Sequence, residues 1–122
     1  MENTDDLELK DLGQYYGTEN YYGIMGVNVT DGIKYIMANG YSWFVTDMIA
    51  VIICSQKEYP KVYENREFLS VKLKVDGTKA IATIDDGNGN ILYTQKYDYT
   101  NAKVKELTLF FINDVMLLSG EY

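Results

Sequence analysis

The sequence has no histidine, and it has only one cysteine and one proline among its 122 residues. Without histidine, the chain lacks the commonest general base, the commonest metal ligand and the usual partner of a nucleophilic serine or cysteine. We therefore expect a non-enzymatic protein with no catalytic residues, no metal and no cofactor. The single thiol, Cys54, lies in an apolar run. We expect it to be buried in the core and unreactive.

Signals for export are also missing. The N-terminal sequence MENTDDLELKD is acidic, whereas a signal peptide is first basic and then apolar. No stretch approaches the roughly 18 apolar residues that cross a bilayer. With the lone cysteine, these features predict a cytoplasmic protein, and the length predicts one domain over residues 1–122.

Negative charge is concentrated near the N-terminus. The chain has 18 acidic and 11 basic residues, a net charge of −7, and residues 1–31 contribute seven acids against one lysine. Such a field repels nucleic acid and anionic lipid but attracts basic proteins. The alternative is that the charge only keeps the protein soluble.

Four tyrosines lie in this acidic part of the chain. Tyrosine is frequent in binding interfaces, and beside carboxylates it suits an arginine-rich surface through hydrogen bonds and cation–π contacts. The alternative is that these rings pack within the domain or pair across strands. The predicted partner-binding residues are Asp5, Asp6, Glu8, Asp11, Tyr15, Tyr16, Glu19, Tyr21 and Tyr22.

The first part of the chain predicts a short helix and a hairpin. Thr4, followed by acidic residues and spaced leucines, is typical of a helix start, so we predict a short amphipathic helix within residues 4–14. Thr30-Asp31-Gly32 stands between two apolar runs and predicts the turn of a hairpin. Its strands are predicted at roughly residues 22–29 and 33–38.

The apolar run from Trp43 to Cys54 is long enough for a helix, although its β-branched residues favour a strand. We predict a central buried helix with Ser42 as its N-cap. Asp47 within it must reach the surface or receive hydrogen bonds, and both a structural and a functional role stay open. Residues 57–66, with the only proline, predict a surface connection.

The second half predicts five strands. Apolar and polar residues alternate in FLSVKLKVDG, which is typical of a half-buried antiparallel strand. Four further strands are predicted in KAIATID, NILYTQKYDYT, KELTLFFI and VMLLS. The predicted fold class is α+β: an antiparallel β-meander sheet packed on the central buried helix, with the short N-terminal helix and the N-terminal hairpin.

The stretch TIDDGNGNILY is the most polar candidate site. A calcium loop of the EF-hand kind needs a distal bidentate glutamate and flanking helices, and a strand follows here instead. Phosphate binding is disfavoured because Asp85 and Asp86 would repel the ligand. Glycine and asparagine suit a tight connection, so we interpret residues 86–90 as a structural turn.

Six ordered blocks resemble the DUF6876 family of small bacterial and mobile-element proteins: GTENYYG, TDGIKY, SWFVTD, IDDGNGNILYT, ELTLFF and VMLLSGEY. The resemblance runs from about Asp11 to Tyr122. It implies a phage, plasmid or other mobile-element setting and implies no activity. The residues that carry it are Gly17-Thr18-Glu19-Asn20-Tyr21-Tyr22, Trp43-Phe44 with Asp47, Asp85-Asp86-Gly87-Asn88-Gly89 and Glu121-Tyr122.

Two functional hypotheses follow. The first is a non-enzymatic protein of a mobile element that binds and inhibits a basic, nucleic-acid-binding host protein, as anti-CRISPR and other DNA-mimic inhibitors do. The second is a small-ligand or nucleotide-binding protein, either a sponge or a metal-dependent hydrolase that uses Asp47, Asp85 or Asp86. The first is preferred, because no nucleophile has a base beside it.

Overall fold

A computed structural model describes residues 20–122. These residues form an α+β fold in which one mixed sheet of seven strands is packed on one layer of helices. The predicted fold class is confirmed. The helix predicted within residues 4–14 lies outside the described residues.

The N-terminal hairpin is present, but its turn lies five residues earlier than predicted. Strand β1 is Tyr21–Ile24 and strand β2 is Val27–Thr30, and the two pair antiparallel. Met25 and Gly26 connect them with φ angles of 54° and 86°. Two consecutive positive φ angles give a turn whose twist matches that of the flanking strands.

The predicted second strand at 33–38 is wrong, because this part of the chain is helical. Helix α1 is Asp31–Ile36. Thr30 is its N-cap, and the Thr30 hydroxyl accepts a hydrogen bond from the Ile33 amide at 3.4 Å. Ile33 and Ile36, three positions apart, are both fully buried. The residues interpreted as a turn therefore begin a helix.

A single π-helical turn, Met37–Tyr41, joins α1 to helix α2, Ser42–Ile53. Gly40 in that turn has a φ of 104°, so the helix axis is kinked there. The predicted central helix is confirmed. Ser42 is not its N-cap, since Ser42 already has helical backbone angles and no side chain caps α2. The chain enters α2 from the preceding helical turn and leaves no free N-terminus to cap.

The helical stretch Asp31–Ile53 has 23 residues and is long and apolar enough, by length and composition, to cross a membrane. Several of its side chains have no exposed surface, however, and pack within the domain: Ile33, Ile36, Phe44, Val45, Met48 and Ile49. Packing on the sheet therefore accounts for its apolar composition. A cytoplasmic location stays a prediction.

Two short helices follow where a surface connection was predicted. Helix α3 is Ser55–Glu58 and helix α4 is Pro60–Glu64. Pro60 stands in the first turn of α4, where its fixed φ suits a helix and its missing N–H costs nothing. Most residues of this segment are exposed, and Val62 anchors α4 to the core.

All five strands predicted in the second half are confirmed. They are β3 (Phe68–Asp76), β4 (Lys79–Asp85), β5 (Ile91–Tyr97), β6 (Glu106–Ile112) and β7 (Val115–Leu118), followed by the 3-10 turn Ser119–Glu121.

The strand order is β1-β2-β7-β6-β3-β4-β5. The pairs are antiparallel except for β2 with β7, which is parallel. The order departs from a simple meander after β5, because the chain passes the β3–β4 turn and then places β6 on the other side of β3. Backbone hydrogen bonds from Thr100 to Thr78 (2.6 Å) and from Val75 to Lys105 (2.8 Å) guide this connection.

Helices cover one face of the sheet and leave the other face open. Leu69, Val71 and Leu73 of β3 have no exposed surface and face the helices, as the alternation predicted. We call the opposite side of β3 to β7 the open face, because no described helix packs on it. Among the residues that it carries are Phe68, Ser70, Lys72, Lys74, Asp76, Lys79, Ile81, Thr83, Asp85, Ile91, Thr94, Lys96, Glu106, Thr108, Phe110 and Leu117.

The hairpin turn gives the first prediction. Gly26→Ala should lower the free energy of unfolding by about 1–2 kcal/mol, because a Cβ is disfavoured at positive φ. Gly23→Ala in the same hairpin is the control, since Gly23 lacks a positive φ and an added Cβ meets nothing within 4 Å. Urea unfolding of both variants measures the difference. Equal losses would contradict the assigned turn.

Candidate functional site

Seven of the nine predicted partner-binding residues lie outside the described residues: Asp5, Asp6, Glu8, Asp11, Tyr15, Tyr16 and Glu19. The other two, Tyr21 and Tyr22, are in β1, an edge strand of the sheet. Tyr21 is 60% exposed and Tyr22 is 37% exposed. Both rings are therefore accessible from solvent at the point where the acidic N-terminal residues join the sheet.

Tyr22 also contacts the start of α1. Its hydroxyl donates a hydrogen bond to Asp31 Oδ1 at 3.1 Å, and Lys34 Nζ lies 5.4 Å from the centre of its ring. The hydrogen bond to Asp31 raises the pKa of Tyr22 above its ordinary value. Tyr22 is thus partly held by its own chain, whereas Tyr21 presents more of its ring.

The excess negative charge lies mainly before β1. Residues 20–122 contain 12 acidic and 10 basic side chains, a net charge of −2, whereas residues 1–19 contain six acids and one lysine, a net charge of −5. Opposite charges are therefore nearly balanced in the described domain. Any strong negative field must come from residues 1–19.

The Asp85–Asn90 segment is a turn stabilised by its own side chains, as interpreted from the sequence. Asp86 Oδ1 accepts a hydrogen bond from the Asn88 amide at 2.8 Å, and Asp86 Oδ2 accepts one from the Asn90 side chain at 2.8 Å. The bond from the Asn90 side chain, the stronger influence, lowers the pKa of Asp86. Asx turns of this kind explain the requirement for Asp and Asn here.

Asp85 is buried on the open face, with 3% of its surface exposed. Its Oδ1 accepts a hydrogen bond from the Gly87 amide at 2.7 Å, and its Oδ2 lies 3.9 Å from Lys72 Nζ. Gly87 in turn lies against Phe68, because a Cβ there would stand 2.9 Å from the ring. Asp85 therefore fixes the turn against β3.

Asp47 also receives a hydrogen bond from its own chain. The Tyr97 hydroxyl donates to Asp47 Oδ2 at 2.8 Å and so joins α2 to the edge strand β5. The Trp43 ring packs edge-on against Tyr97, with 4.8 Å between the ring centres, and Trp43 Nε1 donates to the Gly40 carbonyl at 2.8 Å. This arrangement favours the structural role of Asp47.

A second aromatic pair extends this cluster along β5. The rings of Tyr59 and Tyr93 pack edge-on at 4.9 Å, and the Tyr93 hydroxyl donates to Gln95 Oε1 at 2.9 Å. Burial, followed by the proximity of Tyr59, raises the pKa of Tyr93. Neutral phenols with raised pKa values are poor nucleophiles at neutral pH, which is consistent with a packing role.

The predicted burial of Cys54 is wrong, because its side chain is exposed. Cys54 follows the last residue of α2, and the neighbouring Ile53 is 47% exposed. Ile52 and Ser55 on either side of this pair are buried, so Ile53 and Cys54 face solvent while the end of α2 stays packed on the core. Residue type alone did not indicate which residues at the end of this apolar run face solvent.

Sequence reasoning missed a second buried carboxylate, Glu121, and the hydrogen bonds that it accepts. This side chain is 9% exposed. One of its oxygens, Oε1, accepts hydrogen bonds from the Thr30 hydroxyl at 2.6 Å and the Leu118 amide at 2.8 Å, while Oε2 accepts one from the Gly32 amide at 3.2 Å. A Cβ on Gly32 would lie 2.6 Å from Glu121 Oε1. Position 32 therefore needs glycine.

The C-terminal residue Tyr122 completes an aromatic cluster on the open face. Its ring packs edge-on against Phe68 at 6.1 Å and Phe110 at 5.4 Å, and those two rings are 5.3 Å apart. Tyr122 is nevertheless 77% exposed. Glu121 therefore faces the start of α1, while the next residue covers part of the sheet.

Cavities among the described residues are open to solvent rather than deep. One of about 500 Å³ lies beside Tyr59 and Leu92 in front of α4. Another, of about 210 Å³, lies on the open face between Lys72, Lys74 and Ile91. Within residues 20–122, no three side chains of histidine, cysteine, aspartate or glutamate converge as a metal site would require.

The fold defines a small α+β domain with one open sheet face and polar motifs that serve its own architecture. The model of the family of unknown function DUF6876 matches residues 6–122, nearly the whole chain, and the protein belongs to this family. Neither the curated proteins nor the solved structures contain a match. The family resemblance inferred from the sequence motifs is confirmed.

The buried carboxylate gives the second prediction. Glu121→Gln should lower the free energy of unfolding by about 1–3 kcal/mol, because the amide nitrogen of glutamine cannot accept a hydrogen bond from the surrounding donors. Chemical unfolding measures the loss. Glu58→Gln, at an exposed position, is the control and should change stability by no more than about 0.5 kcal/mol. An unchanged free energy of unfolding in Glu121→Gln would refute the assigned role.

The Asp47–Tyr97 contact gives the third prediction. Burial, with help from the hydrogen bond to Asp47, raises the pKa of Tyr97 well above its usual range. The stabilisation is therefore complete below the unfolded-state pKa of about 10 and is lost as the pH rises above it. Tyr97→Phe should cost about 1 kcal/mol at neutral pH, and its stability should fall less steeply above about pH 10 than that of wild type.

Urea unfolding over a pH series tests this expectation. Tyr99→Phe is the matched control, because that ring belongs to the same segment and is 75% exposed. The control should follow wild type at every pH. Identical behaviour of the two variants would show that the hydrogen bond to Asp47 contributes nothing.

Proposed function

We propose that this protein is a non-enzymatic binding protein of a phage or other mobile element that inhibits a basic, nucleic-acid-binding host protein. The observation that carries the proposal is the separation of charge. Five of the seven net negative charges belong to residues 1–19, which precede a nearly neutral domain. Carboxylates that are close together in the sequence carry the same charge as the phosphate backbone that such a host protein binds.

The exposed tyrosines of β1 support the same proposal. Asn20 leads directly into Tyr21 and Tyr22, so both rings adjoin the acidic residues along the chain. Tyrosine offers a large rigid contact together with a hydroxyl, which suits recognition of arginine-rich surfaces. Carboxylates would guide association and the two rings would add short-range contact.

The use of acidic side chains in the domain favours binding over catalysis. Asp47, Asp85 and Asp86 were the carboxylates of the alternative, ligand-binding hypothesis. Each accepts a hydrogen bond from the protein itself. A general base must instead reach a proton on the substrate.

Affinity capture from host cells tests the proposal. The tagged full-length chain should retain a basic nucleic-acid-binding protein at low salt and lose it at high salt, because exposed charge pairs are screened within about 8 Å at physiological ionic strength. Mass spectrometry identifies the protein, and single-stranded or duplex DNA added in excess should displace it.

Two charge-matched variants sharpen the test. Neutralising Asp5, Asp6, Glu8 and Asp11 to their amides should abolish capture, whereas neutralising the exposed acids Glu58, Glu64, Glu67 and Asp98 should leave it intact. Both variants lose four negative charges, so only position differs. Equal loss in the two would show that overall charge, rather than an N-terminal surface, governs binding, and the proposal would fail.

A further inference from the structure

Strand β5 leaves one edge of the sheet open. Within residues 20–122 it pairs only with β4, so alternate backbone N–H and C=O groups point away from β4 and have no strand to bind there. The sequence of β5, ILYTQKY, contains no proline and one charged residue, Lys96. Monomeric proteins commonly protect such an edge with prolines or several charges. The edge of β5 is therefore able to pair with one more strand.

Exposed apolar side chains lie at both ends of β5. Ile91, its first residue, is 56% exposed, and Tyr99, two residues past its last residue, is 75% exposed. A strand added beside β5 would cover part of both side chains. Burial of apolar surface favours association, so these two residues support an interaction at this edge.

The sequence of β5 is complementary to itself, which points to a second copy of this chain. In an antiparallel pair with Gln95 opposite Gln95, Tyr93 of each copy lies opposite Tyr97 of the other. The ladder with β4 is regular from Tyr93 to Tyr97, so five consecutive residues can pair. We propose that the protein forms a two-fold symmetric dimer in which β5 pairs with β5 of a second copy.

The two pairs of tyrosine rings would stabilise this contact. Tyr93 and Tyr97 are half-buried and lie on the helical side of the sheet, where Tyr59 and Trp43 pack against them. Aromatic residues directly opposite each other stabilise an antiparallel strand pair. Because both rings are already held by their own chain, they lose little conformational freedom when the dimer forms.

The lysine of β5 does not prevent this pairing. Lys96 pairs with Ile81 of β4, so its side chain lies on the open face, on the opposite side of the sheet from the tyrosines. In the proposed register it lies opposite Thr94 of the second copy, and its long side chain extends into solvent. The two lysines are diagonal neighbours, so their repulsion is weaker than that of charges placed directly opposite.

Dimerisation has a consequence that rests on the proposed function. Strands β1 and β5 are at opposite edges of the seven-stranded sheet, so pairing through β5 puts the two β1 strands thirteen strand spacings apart. This separation is at most about 62 Å. Each copy would therefore bind its own basic host molecule, and host molecules arranged in an array would be bound more tightly through avidity.

Engineered cysteines in the full-length protein test the register. In a Cys54→Ser background, Gln95→Cys places the thiol opposite itself, at a Cα–Cα distance of about 4.5–5.5 Å that a disulfide can span. Thr78→Cys, at an exposed position in the turn before β4, is the matched control. Thr78 is four residues along β4 from Ala82, which pairs with Gln95, so its two copies would be about 25 Å apart. Disulfide-linked dimer should form about tenfold faster with Gln95→Cys.

A charge exchange at Gln95 tests the same contact without a disulfide. Gln95→Glu and Gln95→Lys each place like charges opposite each other and should weaken dimerisation about tenfold. An equal mixture of the two variants places opposite charges there and should recover the dimer as a heterodimer. Thr78→Glu adds a charge away from the contact and should dimerise like wild type. Analytical ultracentrifugation over a concentration series measures each case.

Each result decides the proposal. A wild-type dimer, rapid oxidation of Gln95→Cys and recovery in the mixture support it. A wild-type monomer over the whole concentration series would overturn it. Equal oxidation at positions 95 and 78, or a dimer that neither charge at position 95 weakens, would show that β5 is not the contact. Recovery in the mixture also shows that both charge variants are folded.

The two proposals fail separately. These measurements use the purified protein alone, so they report the dimer whatever the host target is. Capture of a basic host protein by a monomer would refute the dimer and leave the proposed function intact. A dimer that captures no host protein would refute the proposed function and leave the β5 contact intact.

Discussion

A buried carboxylate near the C-terminus connects the start of α1 to the end of strand β7. Glu121 accepts hydrogen bonds from the Thr30 hydroxyl and the Gly32 amide at the start of α1, and another from Leu118 at the end of β7. The parallel contact of β2 with β7 covers only two residue pairs. Glu121 therefore strengthens the attachment of the N-terminal hairpin, which also rests on the buried side chains of Val27 and Val29. Leaving a buried acid without these partners would be costly.

The other acidic motifs also hold elements of the protein together. Asp47 holds α2 to β5, Asp85 holds the 86–90 turn to β3, and Asp86 closes that turn on itself. These carboxylates belong to the most characteristic stretches of the sequence, yet their partners are in the protein itself. Function is therefore better sought in other features, such as the acidic composition of residues 1–19, the exposed tyrosines of β1 and the open face of the sheet.

Prediction succeeded where the pattern is periodic and failed where one local signal has two physical meanings. The alternation from Leu69 to Val75 predicted both β3 and its buried side, because a strand places successive residues on opposite faces. Thr30-Asp31-Gly32 suits a hairpin turn and a helix start equally, since both need small polar residues and glycine. The deciding contact, Gly32 with Glu121, lies 89 residues away along the chain. The burial of Cys54 was predicted wrongly because composition does not show which residues at the end of an apolar helix face solvent.

The sequence by itself determined the fold class, five strands of the sheet, the central helix, the family and the concentration of negative charge before residue 20. These properties follow from residue type, spacing and local periodicity, which act over a few positions. Only the tertiary structure decided the strand order, the parallel pairing of β2 with β7, the helix at Asp31–Ile36 and the burial of Glu121. Those outcomes depend on contacts between distant residues, whose free energies no local pattern contains.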